Sequence, residues 1–356
     1  MNQTSEKNRE TTQHSNHRLT KLIRFCGRIL LVASLSLWIR CQAGSSAPVS
    51  VDGIQLLPQI RITGTVGTLF HVQYSDDLGA TGVWTTMSTL VLPSSPFVLI
   101  DTNLPASAAR RFYRVTWDTP PPKLVWINPG SYTMGSPIFE QDRALDEGPQ
   151  TAITFTQGFW MGQFQVSQAE YLAITGVNPS SFAGDLNRPV ETVSWLDATN
   201  YCARLTAAEK LAGRLPAGYA YRLPTEAEWE YGARAGTTTR FSYGDDPDYS
   251  GLANYCWYGS NSGDTTHPVG QKLPNPWGLY DMHGNVWEWC LDWYSPSYLG
   301  GFLIDPLSGL LGSERVVRGG SWKGLNRFCR SASRSSGDPA VPGPNVGFRV
   351  VLAPTS

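Results

Sequence analysis

Charge is scarce in this chain: Asp, Glu, Lys and Arg make up 16% of its 356 residues, 28 basic against 29 acidic. That balance supplies no basic field for a nucleic-acid partner. Cysteine is scarce too, with six in all. None lies in a Cys-x-x-Cys pair or in a Cys/His cluster with zinc spacing, which excludes the common structural zinc modules. There is no Gly-x-Ser-x-Gly elbow and no phosphate-cradling loop, so hydrolase-elbow and P-loop chemistry have no support. No long low-complexity run occurs. What is plentiful is Gly (35), Pro (25) and Trp (13), the mix of a compact, loop-rich fold with aromatic anchors rather than of a helical bundle.

The start of the chain is expected to be an address label. Residues 1–28 are polar and basic, residues 29–39 (ILLVASLSLWI) form an apolar run of 11, and Cys41-Gln42-Ala43 follows with small residues where a signal peptidase reads. This order fits the n-region, h-region and cleavage site of a secretory signal covering 1–43. The run is shorter than an ordinary membrane-spanning helix, so no span is expected in the mature chain. Arg40 before Cys41 speaks against a lipoprotein. Residues 1–43 hold seven of the basic and two of the acidic residues, leaving 21 against 27, a net charge of −6. Localisation is expected to be secreted or periplasmic, where disulfides are permitted. Cys202, Cys256, Cys290 and Cys329 then remain, with three full pairings open.

Residues 44–117 carry strand signals. Ile60-Arg61-Ile62-Thr63 and Phe70-His71-Val72-Gln73-Tyr74 alternate apolar and polar, and Phe97-Val98-Leu99-Ile100 and Arg111-Phe112-Tyr113-Arg114-Val115 continue the pattern. A small antiparallel β-domain of sandwich type is predicted. His71 and Trp84 read as ordinary strand residues. Residues 118–122 (DTPPP) are a stiff linker. From 123 to 356 the pattern changes to short strands and three helices. Ser167-x-x-Glu170, Ser194-x-x-Asp197 and Thr225-x-x-Glu228 each place a capping oxygen before an acid three residues on. Gly176 closes the first helix and Gly236 the third. Past Gly236 little regular pairing is signalled, so side-chain networks, disulfides or bound ions must hold that half.

Several ordered blocks carry a family resemblance. The first is Ile127-Asn128-Pro129-Gly130-Ser131-Tyr132-Thr133-Met134-Gly135-Ser136, which looks like an opening hairpin. Next come Phe164-Gln165-Val166-Ser167-Gln168-Ala169-Glu170-Tyr171 and Pro189-Val190-Glu191-Thr192-Val193-Ser194-Trp195. The most distinctive are Tyr221-Arg222-Leu223-Pro224-Thr225-Glu226-Ala227-Glu228-Trp229-Glu230-Tyr231 and Gly278-Leu279-Tyr280-Asp281-Met282-His283-Gly284-Asn285-Val286-Trp287-Glu288-Trp289. Arg318-Gly319-Gly320-Ser321-Trp322 and Asn345-Val346-Gly347-Phe348-Arg349 close the series. Together they resemble the formylglycine-generating, or sulfatase-modifying factor, family over nearly all of 123–356. The resemblance implies an α/β (α+β) fold of C-type-lectin-like kind with little regular secondary structure.

In 281–288 two carboxylates flank a Gly-Asn turn, whose carbonyls can complete the all-oxygen shell that calcium prefers. The alternative is that both acids cap backbone or pair with arginines. The resemblance implies calcium there, held by the side chains of Asp281 and Glu288 and the backbone of Gly284 and Val286. It also implies a second calcium at Asn254 and Tyr255, completed by the 260–267 loop, which differs in length here.

Members of that family oxidise a substrate cysteine with oxygen, using copper(I) held by two cysteines five positions apart; soft thiolates suit that ion. On this pattern the pair falls at 324 and 329. Position 329 is Cys, and position 324 is Gly. Ser321 and Trp287 match residues lining the oxidase pocket. Cys329 is therefore either a remaining catalytic thiol or a structural residue, buried or in a disulfide with Cys290 or Cys256. The His-x-x-x-His-x-Glu triad of iron-dependent relatives is absent. Two function classes stand: an oxidase of the formylglycine-generating type acting on exported sulfatases, and a non-catalytic module that binds a protein or glycan on the same scaffold. The aromatic loops at 255–258 and 287–294 suit either.

Overall fold

In a computed structural model of the chain, the described residues are 23–25, 28–31, 58–62, 69–76, 84–91, 96–102, 111–117, 123–216, 218–307 and 311–355. The linker at 118–122 and the cleavage motif at 41–43 lie outside them. The chain divides into two compact units, Met1–Asp118 and Thr119–Ser356. Among the described residues no helix is long and apolar enough to cross a membrane.

The first unit contains strands β1 (Ile23–Phe25), β2 (Arg28–Leu31), β3 (Gln59–Ile62), β4 (Leu69–Ser75), β5 (Thr85–Val91), β6 (Phe97–Ile100) and β7 (Phe112–Trp117). One antiparallel sheet runs β1-β2-β7-β4-β5, and β3 and β6 form a second antiparallel pair. Alternate residues Ile60 and Ile62 from β3, Phe70 and Val72 from β4, and Tyr113 and Val115 from β7 make one buried cluster. A two-residue side-chain period puts every second residue on the core face of each sheet. β1 and β2 fall inside the stretch read as a leader, and in the full chain β2 pairs with β7.

The second unit opens with β8 (Leu124–Ile127), β9 (Gly130–Met134), β10 (Thr151–Phe155) and β11 (Phe159–Gly162). Helices α1 (Gln168–Thr175) and α2 (Trp195–Leu211) follow, then β12 (Tyr219–Arg222) and α3 (Glu226–Arg234). The rest is β13 (Trp287–Trp293), β14 (Gly301–Ile304), β15 (Arg315–Arg318), β16 (Arg334–Gly337), β17 (Val346–Gly347) and β18 (Val351–Pro354). Three sheets result: β14-β10-β9, β12-β18-β11-β8 and β16-β15-β13-β17. The expected opening hairpin is corrected here, because β8 pairs with β11 and β9 with β10. Asn128-Pro129 lies between the two strands, and proline has no N–H to give a ladder.

All three helices begin as their capping boxes require. Ser167, Ser194 and Thr225 accept the N–H of Glu170, Asp197 and Glu228, and each acid returns to the cap's own N–H. Gly176 closes α1 in the left-handed region at φ 84°. Between α3 and β13 a single 3-10 turn, Leu252–Asn254, is the regular structure. That half is held by buried charge. Arg318 reaches Glu230 and Glu226, Arg334 pairs with Glu226, Arg234 with Glu230, and Arg349 with Glu288. Such pairs are costly to bury and costly to break.

Candidate functional site

Cys329 ends a 3-10 turn, Asn326–Cys329, that follows the Gly319-Gly320 corner. Gly320 has φ 77°, and a Cβ there would lie 2.8 Å from the Cys329 sulfur, so this corner accepts only glycine. The partner of Cys329 is Cys256, with the sulfurs 3.2 Å apart. Both are buried, at 0% and 1% exposure, in a cluster with Phe241 and Leu252. Burial pushes the Cys256 thiol well above its ordinary range, and its hydrogen bond to Cys329 adds to the rise. Cys290 lies in the main core and Cys202 on α2. Burial pushes the Cys202 thiol up to about 12.

Gly324 sits in the turn above Ser321. Its N–H donates to the Ser321 carbonyl at 2.8 Å, and its own carbonyl accepts the Gly259 N–H at 2.9 Å. Ser321 and Trp287 meet through Asn345. The Asn345 amide donates to Ser321 Oγ at 3.5 Å, and its carbonyl accepts the Trp287 N–H at 2.9 Å. The Trp287 ring lies 6.2 Å from that of Phe328. His283 is a bolt between two loops. Its Nδ1 lies 2.8 Å from the Cys329 carbonyl, which can only accept, so Nδ1 carries the proton and Nε2 accepts from Ser242 Oγ at 2.9 Å. Burial pushes the His283 pKa down to about 4, keeping the ring neutral.

The second constellation surrounds Gln165, which is fully buried. Its Nε2 lies 3.3 Å from the Asp281 carbonyl, 3.1 Å from that of Gly284, 3.0 Å from that of Val286 and 3.0 Å from Glu288 Oε1. An amide has two hydrogens, and four oxygens face it. Its own Oε1 is buried without a partner. O and N of an amide are interchangeable in outline, and turning this one over brings a fifth oxygen into the cage. Five oxygens so arranged would suit a hard cation; as the side chain stands, its N–H groups face the four. Glu288 is also held by Arg349, through Nε at 2.6 Å and Nη2 at 2.7 Å, and by the Trp229 indole at 2.7 Å. Asp281 Oδ2 accepts the Gly270 N–H at 2.7 Å. No Lys or Arg among the described residues pairs with Asp281. Burial raises its pKa to about 6. The oxygens gathered here, three backbone carbonyls and one carboxylate oxygen, are of the hard kind that calcium takes.

At the second expected site, the Asn254 carbonyl accepts the Leu273 N–H at 2.9 Å, and Tyr255 stacks on Tyr243 at 4.1 Å. The Lys272 ammonium donates to the neighbouring Ala253 carbonyl at 2.6 Å and lies 3.7 Å over the Trp257 ring. A positive charge thus already serves this loop. Among the described residues no group of three or more His, Cys, Asp or Glu side chains converges as a metal centre. Sequence reasoning missed Gln165 and the choice of Cys256. The one available signal was a polar Gln165 between Phe164 and Val166.

Residues 114–354, more than half of the chain, match the family described as sulfatase-modifying factor enzyme 1-like domain. The chain is 40% identical over 184 residues to the formylglycine-generating enzyme of Streptomyces coelicolor, covering 48% of this chain and 54% of that one. It is 31% identical over 294 residues to the formylglycine-generating enzyme of Mus musculus, covering 64% and 74%. The chain thus spans about half the length of the first of these relatives. Among solved structures, Treponema denticola variable protein 1 superposes with a TM-score of 0.58 at 31% identity, covering 65% of this chain and 95% of that one. The few helices, the three small sheets and the matched blocks agree on one conclusion: this chain belongs to the formylglycine-generating, sulfatase-modifying factor family, with its C-type-lectin-like α+β fold.

Proposed function

We propose that this domain does not oxidise cysteine by the copper route of its family and serves as an exported, cation-stabilised binding module for a protein or glycan partner. The observation that carries this is the place of Cys329: fully buried under Gly320, its sulfur turned to Cys256 at 3.2 Å, with Gly at 324. The 324/329 donor set lacks one thiolate; Cys256 and Cys329 do bring two sulfurs together at 3.2 Å, but both are buried, and a buried thiol is not presented to a substrate peptide. Calcium is proposed as the structural ion, held by Gln165, Asp281, Gly284, Val286 and Glu288. When bound it supplies positive charge to the carbonyl cage. The chain's own contribution is to orient that cage through Arg349 and Trp229, which fix Glu288.

The test is mass spectrometry of a sulfatase-type peptide incubated with the copper-treated protein. Its cysteine is expected to stay unmodified. Robust formylglycine formation that vanishes in Cys329→Ser would overturn this and favour an oxidase acting on exported sulfatases. In the reduced protein, Gly324→Cys is expected to raise copper(I) affinity, measured by competition with a chromophoric chelator; an unchanged affinity would mean the pocket around 324 has diverged further.

A further inference from the structure

Two loops distant in sequence are turned toward each other by paired glycine corners. Gly284, at φ 127°, leaves no room for a side chain: a Cβ there would lie 2.5 Å from the Cys256 sulfur. Gly320 does the same for Cys329, at 2.8 Å. Each corner presses its thiol onto the other, and each thiol has the other as hydrogen-bond partner. Cys290 is directed elsewhere, its sulfur 3.9 Å from the Glu288 carbonyl. Phe241 and Leu252, with Tyr243, Tyr249 and Tyr258, pack around the pair, and both ring nitrogens of the neighbouring His283 are taken up by the Cys329 carbonyl and Ser242.

We propose that Cys256 and Cys329 close into a disulfide as the chain folds, stapling the 255–258 loop to the Asn326–Cys329 turn, with Cys202 and Cys290 left as thiols. The oxidant is a disulfide, either small-molecule or carried by a thiol oxidoreductase. One cysteine thiolate attacks a sulfur of that disulfide, forming a mixed disulfide and releasing one reduced thiol. The second cysteine thiolate attacks the protein-side sulfur and releases the other reduced thiol. Both cysteine protons end on the two released thiols, the cysteines are oxidised by two electrons, and the oxidant is reduced by two. Burial sets the timing. Exchange needs an open path to the sulfurs, and the folded site buries both, so the bond forms as the glycine corners bring the two sulfurs together and is shielded once the apolar cover has packed.

The proposal shares the Cys329 assignment with the proposed function, but its test reads covalent linkage and not turnover. Full-length protein is refolded in a glutathione redox couple, alkylated in guanidinium without reductant, digested and mapped by mass spectrometry. The expected result is a Cys256–Cys329 linked peptide with Cys202 and Cys290 alkylated. In native buffer dithiothreitol should reduce that bond on the order of a hundredfold more slowly than in denaturant. Cys256→Ala should leave Cys329 alkylatable, and mapping of the parent protein stands by itself if that variant fails to fold. Alkylation of both Cys256 and Cys329 in the parent, or a bridge from either to Cys202 or Cys290, would overturn the proposal. Reduction as fast in native buffer as in denaturant would overturn its shielding.

Discussion

Replacing Gln165 with Met keeps the length of the side chain and removes its polar end. The amide can make at most two hydrogen bonds among the four oxygens around Nε2. Losing both strands two buried acceptors, at about 1–3 kcal/mol each. In chelator the variant should therefore lose roughly 2–5 kcal/mol, allowing for partial overlap of the two losses. With calcium the cage oxygens are bound by the ion and the variant lacks one neutral ligand, so most of the loss should return. Gln165→Glu should behave in the opposite sense. In chelator a second carboxylate beside Glu288 destabilises, whereas with calcium the added charge tightens binding. The assay is urea unfolding of parent and variants with EGTA and with excess calcium. For the parent, calcium at a hundredfold excess over its dissociation constant should add about 2.7 kcal/mol. If Gln165→Met matches the parent within about 0.5 kcal/mol in EGTA, and neither protein responds to calcium, the cage is an ordinary polar contact and the calcium proposal fails.

Acid stability in chelator should reflect two opposed groups in one loop. His283 has its folded pKa pushed down to about 4, so its contribution is intact above about 6.5 and is lost as pH falls toward 4, roughly 3 kcal/mol in all. Asp281 has its folded pKa raised to about 6, so its ionisation costs stability above that pH, and the cost is relieved as pH falls from 6 toward 4. Asp281→Asn should consequently steepen the acid loss between pH 6.5 and 4, seen as a larger drop in urea midpoint than in the parent; a parallel pair of curves would refute it. At the other end of the chain, exported protein should begin at Gly44 by N-terminal mass spectrometry. That cleavage would remove β1 and β2 from the sheet, and secreted material still carrying residues before Arg28 would show that the hairpin is kept and the leader reading wrong.

What was legible in the sequence was local. Ser167 with Glu170, Ser194 with Asp197 and Thr225 with Glu228 lie three residues apart, and a capping box closes within that distance whatever the rest of the chain does. The alternation in Ile60-Arg61-Ile62 and Phe70-His71-Val72 likewise reports a sheet face from neighbours alone. The failures involve long separations or a choice between sheets. Nothing local at Ile127-Asn128-Pro129-Gly130 says that β8 and β9 go to different partners. Cys256 and Cys329 are 73 residues apart, and spacing cannot choose between Cys256 and Cys290 as partner. Gln165 meets its cage 116–123 residues downstream. The acid pair 281/288 was recognisable as an oxygen-rich turn; of the two alternatives weighed for those acids, the structure shows capping and arginine pairing, with Glu288 on Arg349 and Asp281 Oδ2 on the Gly270 N–H, and calcium stays a proposal.

Gly284 ties the two constellations together, and this gives a sharper test than either site alone. Its carbonyl faces Gln165 Nε2 at 3.1 Å, while the space where its Cβ would stand is filled by the Cys256 sulfur and by the Trp257 carbonyl at 2.4 Å. Carbon at that position cannot coexist with a backbone oxygen so close, and the φ of 127° disfavours any side chain. Gly284→Ala must therefore move either its own carbonyl out of the cage or the 256–257 backbone away from Cys329. Gly320→Ala meets the Cys329 sulfur and the Phe328 backbone, with no cage contact of its own. The expected outcome is asymmetric. Both variants should lower the yield of the Cys256–Cys329 linked peptide, but Gly284→Ala alone should blunt the calcium-induced rise in unfolding midpoint. A Gly284→Ala protein that keeps the full calcium response and the full disulfide yield would mean that the corner relaxes without cost, and that the dithiol and the cage are not built on the same turn.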